Sequence, residues 1–120
     1  MKLKIGFAGL SHLGIISSLA SADMGIETTG YDFDNNIIEK LNNFKNIISE
    51  KGVSASLQRN LKSKKIFFTN KINDLRKCNI IFISKDVKTN SSGVSDTKEI
   101  DTFIKKIKSS VSKEKILVIM

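Results

Sequence analysis

The sequence predicts a three-layer α/β fold, a parallel sheet with helices on both faces, and three observations carry that prediction. Strand-like apolar runs alternate with amphipathic stretches along the 120 residues. The first run ends in a glycine turn, Gly9-Leu10-Ser11-His12-Leu13-Gly14, that leads directly into a helix pattern. A later run, Ile80-Ile81-Phe82-Ile83, is apolar without alternation, which suits a strand covered on both faces. Strands separated by helices need right-handed crossovers. The expected strand order is 3-2-1-4-5, with a crevice at the carboxyl ends of the first and fourth strands.

Each element follows from its local pattern. Lys2 to Ala8 reads as the first strand, and Leu13, Ile16, Leu19, Ala20 and Met24 give one apolar face to a helix from His12 to Met24, stopped by Gly25. Glu27 to Tyr31 is a second strand. Ile37, Ile38, Leu41 and Phe44 recur at helical spacing, predicting a helix from Asn35 to Lys45, with a connector over Asn46 to Ser54. A short helix is expected over Ser54 to Leu61, then a strand over Ile66 to Thr69 and one or two helical turns around Ile72, Leu75 and Arg76. Asn79 to Ser84 is the fourth strand and Lys85 to Ser95 a polar loop. Asp96 with Glu99 three residues on has the spacing of a capping box, for a helix burying Ile100, Phe103, Ile104, Ile107 and Val111. Lys115 to Met120 is the fifth strand.

Strand, glycine turn, helix, strand and acidic residue is the order of a mononucleotide-binding βαβ unit in a Rossmann-like fold, with Asp32 about 20 residues beyond the turn. The candidate cofactor-binding residues here are Gly9, Ser11, His12, Leu13, Gly14 and Asp32. Gly9 permits the tight turn, Gly14 lets the helix pack against the sheet, and the N–H groups at the helix start face a pyrophosphate. The fingerprint G-x-G-x-x-G is altered to G-x-S-x-x-G. Ser11 hinders the approach of phosphate to the backbone without forbidding it. Asp32 can accept hydrogen bonds from an adenosine ribose, which selects NAD over a 2′-phosphorylated cofactor by charge; alternatively Asp32, Asp34, Asn35 and Asn36 form a turn and helix cap. His12, the one histidine, is either a donor to phosphate or a partly exposed side chain at the helix start.

Composition narrows the function classes. The net charge of +8 comes from lysines spread along the chain, without interleaved aromatics or a recognition signature, so a solvated basic surface accounts for it better than nucleic-acid binding does. No stretch reaches the roughly 20 apolar residues of a membrane span. One cysteine, Cys78, leaves no intramolecular disulfide and no metal-site spacing, and the expected compartment is a reducing cytoplasm.

Further segments resemble one family. Lys4-Ile5-Gly6-Phe7-Ala8-Gly9-Leu10-Ser11-His12-Leu13-Gly14 is similar to the opening strand and turn of the UDP-glucose/GDP-mannose dehydrogenases, in which an aromatic stands at the place of His12. Gly30-Tyr31-Asp32-Phe33-Asp34, Glu50-Lys51-Gly52-Val53, Lys65-Ile66-Phe67-Phe68-Thr69, Cys78-Asn79-Ile80-Ile81-Phe82-Ile83-Ser84 and Ser95-Asp96 resemble its later segments in order and spacing.

The resemblance implies one NAD-binding Rossmann domain over 1–120, part of a longer enzyme. Such an enzyme oxidises the C6 alcohol of a nucleotide sugar to a carboxylate in two steps, through a thiohemiacetal on a cysteine. It also implies that the catalytic residues lie outside these 120, that Cys78 is not the nucleophile, and that this chain alone is inactive. A nucleotide sugar is then the substrate partner, and a homodimer of the full-length enzyme is left open. Two departures bear on NAD: Ile37 stands where the family carries a basic residue, and Lys85-Asp86-Val87-Lys88-Thr89 replaces a T-P-T turn, leaving Thr89 as the match and a further candidate contact. With Ser11, they motivate the alternative of a non-catalytic module with weak or no NAD binding.

Overall fold

A computed structural model describes residues 2–45, 51–85, 88–89, 95–96, 98–111 and 115–120. Five strands build the main sheet: β1 (Lys4–Ala8), β2 (Glu27–Tyr31), β3 (Ile66–Thr69), β4 (Ile80–Ile83) and β7 (Ile116–Ile119). They run parallel in the order β3-β2-β1-β4-β7, which is the expected 3-2-1-4-5. The numbering differs because the polar loop contains a short antiparallel ladder, β5 (Lys88–Thr89) with β6 (Ser95–Asp96).

Helices cover both faces. On one, α1 (His12–Asp23), α2 (Asn35–Asn42) and α3 (Val53–Lys62) bury Ile15, Leu19, Ile38, Leu41 and Leu57 against Ile66 and Phe68. On the other, a 3₁₀ turn (Ile72–Lys77) and α4 (Lys98–Ser110) bury Leu75, Phe103 and Ile107 against Ala8, Tyr31, Ile81 and Ile83. Burying a Leu, Ile or Phe side chain contributes about 1.5–3 kcal/mol, so these two clusters hold the layers together.

Local chemistry sets the element ends. Asp34, rather than Asp32, is the N-cap of α2, its carboxylate accepting from the Asn36 N–H at 2.9 Å. That helix ends at Asn42 instead of Lys45, and β1 begins at Lys4 instead of Lys2. Asp96 lies in β6, two residues before the first residue of α4, so it does not hold the capping position that its spacing to Glu99 predicts.

Candidate functional site

The carboxyl ends of β1, β2 and β4 meet at the glycine turn, and hydrogen bonds from all three hold it. Gly9 takes φ +99°, a conformation that L side chains rarely adopt, and its N–H donates to the Tyr31 carbonyl at 2.8 Å. A Cβ on Gly9 would also lie 2.8–2.9 Å from Lys85 atoms. Gly14 is fixed by proximity: a Cβ there would stand 2.2 Å from the Gly9 carbonyl oxygen and 2.7 Å from Ser84 Oγ. Helix and turn therefore approach as closely as backbone allows.

Ser11 occupies the altered fingerprint position with φ −69° and ψ 177°, an extended conformation open to any residue. Its hydroxyl is the N-cap of α1, accepting from the Gly14 N–H at 3.2 Å and donating to the Ser84 carbonyl at 2.5 Å. Ser84 Oγ donates in return to the Gly9 carbonyl at 2.6 Å. This lock was not legible in the sequence. Only the polar character of Ser84, directly after an apolar run, hinted at it.

Asp32 follows β2 and is 6% exposed. Its Oδ2 accepts from the Leu10 N–H at 2.8 Å and its Oδ1 from the Asp34 N–H at 2.9 Å. The carboxylate thus ties the glycine turn to the second strand, and it also takes part in the turn that its sequence neighbourhood suggested. A carboxylate has about four acceptor sites, and these N–H groups occupy two of them.

The other expected residues are spread around this centre. His12 and Leu13 form the exposed first turn of α1. Thr89 lies in β5 opposite Ser95, and its side chain is outside the described residues. Ile37 packs on the core between the sheet and α1–α3 and brings no charge to the crevice.

Beside the turn, at the carboxyl ends of β2 and β4, lies a cleft of ≈ 510 Å³ lined by Tyr31, Phe33, Lys85, Lys98, Thr102, Phe103 and Lys106. Tyr31 stacks on Phe103 with ring centroids 6.0 Å apart. Burial, and then the neighbouring Asp32 charge, push the Tyr31 phenol up from its ordinary pKa. Phe33, more than half exposed, carries the Lys85 ammonium over its ring at 4.8 Å. Among the described residues no group of three or more His, Cys, Asp or Glu is placed to hold a metal ion, and no helix is long and apolar enough to cross a membrane.

Residues 3–120 match the model of the UDP-glucose/GDP-mannose dehydrogenase family, NAD binding domain. The chain belongs to that family. Its cofactor is NAD, and a carboxylate held beside a glycine turn and an aromatic cleft fits that group. A UDP-glucose 6-dehydrogenase of Rickettsia typhi is 28% identical over 118 residues, covering 98% of this chain and 27% of that protein. The structure of UDP-D-ManNAc dehydrogenase from Pyrococcus horikoshii superposes with a TM-score of 0.90 at 21% identity, over 98% of this chain and 28% of that one. GDP-mannose dehydrogenase from Pseudomonas aeruginosa, solved as a ternary complex, gives 0.89 at 22% identity over 96% and 27%. The chain spans between 13% and 27% of the length of the curated relatives it matches. This family domain is the NAD-binding part of nucleotide-sugar dehydrogenases, which are oxidoreductases.

Proposed function

We propose that this chain is the NAD-binding domain of a nucleotide-sugar 6-dehydrogenase of the UDP-glucose type, acting in the cytoplasm to supply precursors for polysaccharides. The observation that supports the cofactor assignment is the Asp32 carboxylate, held between the glycine turn and β2 by the Leu10 and Asp34 N–H groups. In this reading Asp32 receives the adenosine ribose hydroxyls. Gly9 and Gly14 shape the turn, the backbone N–H groups of Ser11, His12 and Leu13 at the start of α1 are presented to the pyrophosphate, and Thr89 contacts the cofactor from the loop after β4. NAD, when bound, accepts hydride as the sugar C6 alcohol is oxidised towards the carboxylate.

The chain's own part is to bind and orient. Hydride transfer needs the donor carbon held against the nicotinamide, and that geometry requires a sugar-nucleotide site in addition to this domain. Cys78 supplies no nucleophile: it precedes β4 at the amino end of the sheet, away from the crevice, and its sulfur is fully buried. A cysteine elsewhere in the full-length enzyme takes that role, and the 120 residues alone are inactive.

Titration with NAD and NADP, followed by backbone amide shifts, tests this reading. NAD is expected to shift the amides from Gly9 to Gly14 and of Asp32, and NADP to bind more weakly because its 2′-phosphate meets the Asp32 charge. Asp32→Asn, which keeps an acceptor for the Leu10 N–H, is expected to weaken NAD and narrow the preference. Absence of any response to millimolar NAD would overturn the assignment.

A further inference from the structure

Tyr31, Phe33 and Phe103 line the cleft next to Asp32, and they differ in what they offer a ligand. Tyr31 is 1% exposed and Phe103 6%, their rings stacked in the core, whereas Phe33 is 57% exposed. The Lys85 ammonium lies over the Phe33 ring, and that exposure remains with the contact in place. Backbone geometry fixes where the ring stands. Asp32 Oδ1 accepts from the Asp34 N–H, a turn that encloses Phe33, and Asp34 itself caps α2. The other oxygen of Asp32 accepts from the Leu10 N–H, so the carboxylate is buried against the glycine turn while the next side chain stands in solvent.

Resting on the dinucleotide reading above, we propose that Phe33 is a specificity-determining residue of the cofactor site, the platform on which the adenine base stacks. The chemistry of the ligand sets the order. In adenosine the base is carried by C1′, next to the carbon of the 2′-hydroxyl, and the phosphates leave from C5′ on the other side of the ribose. A carboxylate that holds the ribose hydroxyls therefore has phosphate on one flank and the base on the other. Asp32 has the glycine turn on one flank and Phe33 on the other. A purine and a phenyl ring are both planar π systems, so they stack without an exact register, and stacking removes exposed ring surface from water.

The chain has no tryptophan, so Phe33→Trp puts a single fluorescent indole at the platform. Its emission is expected to be quenched by NAD and by ADP-ribose, and left unchanged by nicotinamide mononucleotide, which lacks the adenine. Phe33→Leu keeps apolar bulk without a ring face. It is expected to bind NAD about tenfold more weakly than the wild type, equally so at low and high salt, with Phe33→Tyr restoring the affinity. A deficit that vanishes at high salt would trace to Lys85 released from the ring, and overturns the proposal. Emission that NAD leaves unchanged, or that nicotinamide mononucleotide quenches as strongly, overturns it too. If the wild type binds NAD and Phe33→Leu binds equally well, this inference alone fails. A wild-type chain that binds no NAD removes both it and the dinucleotide reading.

Discussion

Ser11 and Ser84 lock each other across the mouth between β1 and β4: Ser11 Oγ donates to the Ser84 carbonyl, and Ser84 Oγ donates to the Gly9 carbonyl two residues before Ser11. The serine that breaks the glycine fingerprint thereby joins the turn to the neighbouring strand and caps α1. Ser11→Ala removes the cap and leaves the Ser84 carbonyl short of a donor. Urea unfolding is expected to show a loss of about 1–2 kcal/mol. Ser11→Gly is expected to cost less, since glycine is tolerated at a cap and suits the turn.

Two glycine substitutions separate crowding from backbone strain. Gly14→Ala drives a methyl to 2.2 Å from a backbone oxygen that has no room to move, because Ser84 already holds it. A loss of about 3 kcal/mol or more is expected, with NAD binding lost as the turn opens. Gly25→Ala meets nothing within 4 Å but must hold φ +87°. The expected cost there is about 1–2 kcal/mol, measured by the same unfolding curves.

Asp23 couples α1 to α3 and gives stability a dependence on acid. Burial raises its pKa, but hydrogen bonds from Arg59, Asn60 and Ser56 and the Arg59 charge together outweigh that and hold the carboxyl below its ordinary 3.8. A depressed folded-state pKa means that the contribution is complete above the unfolded value and is lost as pH falls through the folded one. Asp23→Asn should therefore destabilise the protein at pH 7, with the difference from wild type closing below about pH 4. A gap that stays constant down to pH 2 would remove Asp23 as the source.

Cys78 is expected to be inert in the folded protein. Burial raises its pKa, against smaller opposing effects from the Thr29 hydrogen bond and nearby lysines, so little thiolate is present near neutrality. A thiol reagent at pH 8 should modify it at the rate of unfolding, and rapidly once denaturant is added. Fast labelling of native protein would contradict the burial.

Much of the fold was legible because it is written in local repeats. The continuous apolar run Ile80 to Ile83 announced a strand covered on both faces, and Phe103 and Ile107 recur at helical spacing and are both buried. Gly9 and Gly14 were found by spacing, and the structure gives each a steric reason. The cap of α2 was less legible. Asp32 and Asp34 are both capping residues by type, and only the path of β2 into the turn separates their tasks.

Sequence by itself determined the element order, the parallel sheet, the acidic residue after β2 and the family, since each rests on periodicity or on spacing along the chain. Tertiary structure decided which side chains meet. Ser11 reaches Ser84 across 73 positions and Asp32 reaches Leu10 across 22, while Lys85 settles between Phe33 and Phe103. These contacts exist because β1 lies between β2 and β4, which brings three strand ends together at one turn. A hydrogen bond forms only within about 3 Å, and no pattern along the chain encodes a distance between strands.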